Sequence, residues 1–139
     1  MQRWHLEVRS RDRSDDSLGA SVNADLAWLE LAHLGPVQSA RLYLFEGELD
    51  GAAAHRLAES LFVDAITQEF TSEPWTPTPH ADARCVTITK KPGVMDPPVD
   101  SIRRGAERLG HTLHHIRTGT LFRFGGLPRS GELERTALR

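Results

Sequence analysis

Cysteine is nearly absent: the 139-residue chain has one, Cys85. A single thiol excludes an intramolecular disulfide framework and fits a reducing, cytoplasmic setting. Long apolar runs are missing too, and none approaches the roughly 18 residues of a membrane-spanning helix. The first residues, Met1-Gln2-Arg3-Trp4-His5, open into strand-like alternation and carry no apolar signal-peptide core. An excess of charge is also lacking. Seventeen Lys and Arg against 19 Asp and Glu leave a formal charge of −2, so no nucleic-acid partner and no membrane surface is expected.

The chain instead carries internal repetition. Trp4, Leu6 and Val8 alternate with His5, Glu7 and Arg9, and Val86 and Ile88 alternate with Thr87 and Thr89. A period of two predicts half-buried strands. Each strand leads into a polar turn with an aspartate: Arg13-Ser14-Asp15-Asp16 first, then Pro92-Gly93-Val94-Met95-Asp96. A helix follows in each half. Leu18, Val22, Leu26 and Leu29 mark the first, which Gly35 is read to stop; Val99, Ile102, Ala106 and Leu109 mark the second, which Gly110 stops. Asp96 suits an N-cap, Pro97 the first helical position, and glycine the left-handed C-cap.

A strand pair is expected after each Leu-Gly. In the second half Leu113 to Arg117 and Leu121 to Phe124 flank Thr118-Gly119-Thr120, which reads as a hairpin turn. In the first half Val37 to Phe45 has no glycine turn. Phe45-Glu46-Gly47 and Phe124-Gly125-Gly126 then correspond. A further helix begins at Leu57, Ala58 and Leu61 in one half, and at Leu133 and Ala137 in the other. The expected fold is α+β: two βαββα repeats with antiparallel sheets, packed together with approximate two-fold symmetry. The first repeat covers residues 1–71 and the second 84–139. The three prolines of Ser72 to His80 make 72–83 an extended linker. About 70 residues are marginal alone, and pairing buries shared apolar surface.

Val86-Thr87-Ile88-Thr89-Lys90-Lys91-Pro92-Gly93-Val94-Met95-Asp96-Pro97, with Leu109-Gly110 and Ile116-Arg117-Thr118-Gly119, resembles the PurS family. The likeness covers about 40 residues of the second repeat; the first matches by pattern through Asp16, Leu34-Gly35 and its second helix. Pro98-Val99 stand where that family has Gln-Gly, and Thr120 where it has lysine. The resemblance implies a module without chemistry of its own, which bridges the synthetase and glutaminase subunits of phosphoribosylformylglycinamidine synthase in purine biosynthesis. It implies no cofactor in this chain, ATP and magnesium belonging to the associated synthetase. A tandem pair resembles the N-terminal domain of the single-chain form of that ATP-dependent ligase. The second repeat stops at Arg139, inside a helix that Ser130 caps and Leu133, Ala137 and Leu138 begin, so the sequence is expected to be an N-terminal piece of a longer protein.

Read for chemistry, the residues point the same way. Among the seven histidines, His111, His114 and His115 lie closest together, but His114 and His115 face opposite sides of a strand and no cysteine pair has zinc spacing. Cys85 lies in no nucleophile motif and is read as a packed or half-exposed thiol. Lys90-Lys91-Pro92-Gly93 could cradle an anion, but reads first as a strand-to-helix turn, and the phosphate-loop spacing is absent. Arg103, Arg104, Glu107 and Arg108 form the solvated face of a helix. Trp4, Trp28 and Trp75 read as core or interface anchors, Trp75 pinning the linker. No catalytic, cofactor-binding or metal residue is assigned. The competing readings are an ACT-like regulatory domain, binding a small ligand between two βαββα units, and an unrecognised small enzyme.

Overall fold

The computed structural model describes residues 2–74, 85–89 and 97–126. The expectations for Trp75, for Lys90 to Asp96 and for the helix from Ser130 lie outside them. The elements are β1 (Gln2–Ser10), α1 (Ser17–Trp28), β2 (Val37–Gly47), α2 (Gly51–Leu61), β3 (Gln68–Pro74), β4 (Cys85–Thr89), α3 (Pro97–Arg108) and β5 (Leu113–Phe124). The strands form one antiparallel sheet in the order β3-β1-β2-β5-β4. The fold is α+β, with one five-stranded sheet and three helices among the described residues.

The period of two decides which face each strand offers. Trp4, Leu6 and Val8 of β1 lie opposite Phe45, Tyr43 and Arg41 of β2, while Val37 lies opposite Phe124 and Val86 opposite Phe122. Alternation places all these side chains on one face of the sheet, and the helices cover that face. Beneath α2 and α3 lies a core of Trp4, Leu6, Tyr43, Phe45, Leu57, Phe62, Leu113 and Ile116. The Tyr43 and Phe62 rings meet with centroids 4.6 Å apart. Beneath α1 lies a second cluster, Leu26, Leu31, Leu34, Phe122 and Phe124.

The two expected hairpins are not formed. Val37–Gly47 and Leu113–Phe124 are each a single long strand. Thr118-Gly119-Thr120 has turn composition, but Gly119 answers a close approach: a Cβ there would lie 2.5 Å from the carbonyl oxygen of Ile88 on β4. The strand beyond α2, β3, has no clear alternation in the sequence. It runs along the sheet edge beside β1 and takes in Ser72, Glu73 and Pro74, the start of the stretch read as linker. Proline is tolerated there because an edge strand has donors that need no partner. The described order is therefore β-α-β-α-β followed by β-α-β.

Gly35 does not stop the first helix. α1 ends at Trp28, and Glu30 takes the left-handed conformation (φ 59°) that Gly110 takes after α3 (φ 88°). The two caps share a bond pattern. The Leu31 N–H donates to the Leu26 carbonyl and the Glu30 N–H to Ala27; the His111 N–H donates to Ala106 and the Gly110 N–H to Glu107. Each is a helix terminus closed by a six-to-one bond. Both helices have 12 residues. Leu26 and Ala106, which anchor the caps, are both fully buried.

The strands keep this correspondence. β1 flanks β2 as β4 flanks β5, and β2 pairs with β5 at the centre over the longest ladder in the sheet. The offset of 80 residues that matches α1 to α3 places Leu6 on Val86 and Val8 on Ile88; past the helix caps the offset is 79, which places Leu42 on Leu121 and Phe45 on Phe124. The central pair obeys it as well: Gly47 lies opposite Leu113, and the Gly126 N–H bonds the carbonyl of Leu34, the counterpart of Leu113.

Candidate interaction face

The second face of the sheet has no described helix over it. It carries the other half of each alternation: His5, Glu7 and Arg9 from β1, Leu42 and Leu44 from β2, Arg117, Leu121 and Arg123 from β5, and Cys85 from β4, with His5, Glu7, Leu42 and Leu121 buried. A polar network runs across it. At the β3 edge His5 Nδ1 lies 3.3 Å from Glu73 Oε1, and Arg9 Nε donates to Glu69 at 3.2 Å. Glu7 accepts two bonds from Arg123 Nη2, both at 2.8 Å, and lies 3.8 Å from Arg9. Arg123 Nη1 lies 3.2 Å from Cys85 Sγ. The network joins β1 to β5 across β2, so charged groups from both halves of the chain hold each other. Only 5% of the Glu7 side chain is exposed, against 44% for Arg123. An ionised carboxylate so buried persists because cations neutralise it.

The candidates from the sequence are dispersed. Cys85 is half-buried, and its described contact is Arg123, a cation with no free lone pair to act as a general base. His114 and His115 are exposed and His111 is half-buried. His111 and His114 line a polar cavity of about 410 Å³ with Glu48, yet no group of three metal-competent side chains forms among the described residues. Trp4 is in the core as expected, whereas Trp28 is 86% exposed. On α3, Arg103 is half-buried while Arg104, Glu107 and Arg108 are exposed. No helix of the described residues is long and apolar enough to cross a membrane.

Where β5 bulges, its His115 and Ile116 facing the single residue Phe45 of β2, a cleft of about 470 Å³ opens, lined by Arg3, Leu44, Glu46 and Arg117 with His115. Arg3 bonds Glu46 at 2.7 Å. His115 has φ 51°. Bulges of this kind re-aim side chains at a sheet's rim.

The Asp16 carboxylate is tuned by its surroundings. Burial, the largest single influence on Asp16, raises its pKa. Bonds from the Ser39 hydroxyl, the Ser39 N–H and the Gly19 N–H outweigh that and hold it below the usual carboxylate range. Asp16 thereby caps α1 and ties it to β2, which is a structural task.

Sequence reasoning missed the Glu7–Arg123 pair. Both are polar positions of alternating strands, and nothing local says that residues so far apart meet. The chain matches no protein family, no curated protein and no solved structure.

Proposed function

We propose that this chain is a non-catalytic, PurS-like tandem module of phosphoribosylformylglycinamidine synthase. In this reading it acts in the cytoplasm in purine biosynthesis, and its partners are the synthetase and glutaminase between which ammonia passes. ATP and magnesium belong to the synthetase. The two halves play the role of two PurS-like repeats fused as a pseudo-dimer.

The observation that carries the reading is the internal correspondence of the halves. Two strand-helix-strand units, with matching 12-residue helices and matching C-caps, meet at the β2–β5 ladder. Joining the central strands makes one sheet from two marginal units and removes two of their four edges, a stable way to fuse a dimer. A second support is the division of labour between faces. The helix face is filled with apolar side chains, while on the other the buried Leu42 and Leu121 lie among ion pairs that draw on both halves. Rigid surfaces with fixed charges suit recognition of a partner more than turnover.

The test is co-purification. A tagged full chain is mixed with purified synthetase and glutaminase and the complex isolated by size exclusion. Co-elution of both enzymes supports the reading; separate elution of all three at micromolar concentration contradicts it.

A further inference from the structure

The two ends of the β2–β5 ladder share one irregularity. At the Gly47 end, three residues of β5, His114 to Ile116, lie against two of β2, Phe45 and Glu46, between the pairs Leu44–Arg117 and Gly47–Leu113. At the Gly126 end, three residues, Gly35 to Val37, lie against two, Phe124 and Gly125, between the Gln38–Arg123 pair and the Gly126–Leu34 bond. The correspondence of the halves carries one end onto the other residue by residue, but their contents differ. At the Gly126 end the place is filled: a Cβ on Gly125 would lie 2.7 Å from Pro36 Cδ. At the Gly47 end His115 stands for Pro36, Glu46 for Gly125 and Arg117 for Gln38, and there the cleft of about 470 Å³ opens. His115 takes φ 51°, which a proline ring forbids. The fold therefore tolerates this irregularity closed by small and neutral residues, and the ionisable groups around the open one are not needed to build the sheet.

Charge and lining decide what the cleft takes. Arg3 bonds Glu46 at 2.7 Å, so the two neutralise each other. The Arg117 guanidinium is exposed and has no carboxylate partner among the described residues. His115 aside, the described lining thus carries one uncompensated positive charge. A free guanidinium fork matches a carboxylate with two parallel bonds. Glu46, half-buried beside it, opposes a second negative charge, which favours a monoanion over a dianion such as a phosphate ester. Leu44, Phe45 and Ile116 supply an apolar wall for the rest of a ligand. The His115 ring nitrogens can bond the same ligand. We propose that the cleft binds a small monocarboxylate with an apolar body, its acid group on Arg117 and its body against Leu44. This goes beyond the assembly role and holds whatever the chain assembles with.

The test is titration of the purified, isotope-labelled full chain with phenylacetate, followed by amide chemical shifts. Saturable shifts around the β5 bulge are expected, with a Kd in the millimolar range for so small a ligand. Phenylacetamide lacks the charge; inorganic phosphate lacks the apolar body and carries a second charge. Each is expected to bind the wild-type chain at least about tenfold more weakly than phenylacetate. Arg117→Gln, which writes in the residue type of Gln38, is expected to weaken phenylacetate by about tenfold or more at an unchanged melting temperature. Arg104→Gln, at an exposed arginine of α3, is expected to change nothing. No saturable shift by about 50 mM phenylacetate, shifts that map away from the bulge, or an Arg117→Gln chain that binds as the wild type does overturns the proposal. So does phenylacetamide or phosphate binding as well as phenylacetate, since the cleft then answers to an apolar body or to charge alone. The comparison of ligands needs no variant, so it decides the matter even if Arg117→Gln disturbs the sheet.

Discussion

Cutting the pair that joins the two halves across the sheet gives an asymmetric outcome. Arg123→Met removes the guanidinium and leaves the Glu7 carboxylate in place, with 5% of its side chain exposed. The nearest remaining cation is Arg9, at 3.8 Å and without a hydrogen bond of good geometry. Stranding a buried carboxylate costs about 3–5 kcal/mol when nothing compensates. Arg9 and the half-exposed position of Arg123 reduce this to about 2–3 kcal/mol. Glu7→Gln leaves the opposite remnant, a guanidinium that solvent can reach. That costs about 1 kcal/mol, the scale of one ordinary hydrogen bond. The double variant costs less than the sum, because with Arg123 gone the neutral amide that replaces the Glu7 carboxylate buries no charge. Urea unfolding of the four proteins, analysed as two-state transitions, measures each value. If Arg123→Met costs no more than Glu7→Gln, or the two losses simply add, Glu7 is not held as a buried ion and the reasoning fails.

Three further outcomes are expected. Gly119→Val puts a Cβ 2.5 Å from the Ile88 carbonyl oxygen and 2.8 Å from Thr89 Cγ2, costs about 1–3 kcal/mol, and speeds amide hydrogen exchange in β4 before β1. Glu30→Gly relieves a left-handed residue and stabilises the chain by about 0.5–1 kcal/mol, whereas Gly110→Ala destabilises it by about 1 kcal/mol; equal signs in thermal melts would mean that the two caps are not alike. Asp16→Ala removes the side-chain cap of α1 and costs about 1 kcal/mol at neutral pH. The folded-state pKa of Asp16 lies below its unfolded value, so its contribution is complete above the ordinary carboxylate pKa and is lost as pH falls through the lower one; a gap between the two proteins that widens in acid would contradict this.

What the sequence disclosed was the local periodicity. The alternation of Trp4, Leu6 and Val8 is the core face of β1, and Ile102 and Ala106 lie on the packed side of α3. What it concealed depended on distant partners. Gly119 looks like a turn residue until β4 is placed against it. Gly35 looks like a C-cap because nothing in Leu29-Glu30 signals that a glutamate will take φ 59° to let Leu31 and Leu34 be buried. β3 is masked by its charges, Glu69 and Glu73, which make sense only opposite Arg9 and His5. The same holds for the interaction face, where Glu7 is polar by pattern and buried by pairing.

The most direct measurement of the central claim is reconstitution. Glutamine-dependent formation of formylglycinamidine ribonucleotide is assayed with purified synthetase and glutaminase, with and without this chain. The account predicts that the full chain raises glutamine-dependent turnover and shows no turnover by itself. Turnover that stays the same at any ratio of added chain, with no complex detected between the three proteins, would contradict it.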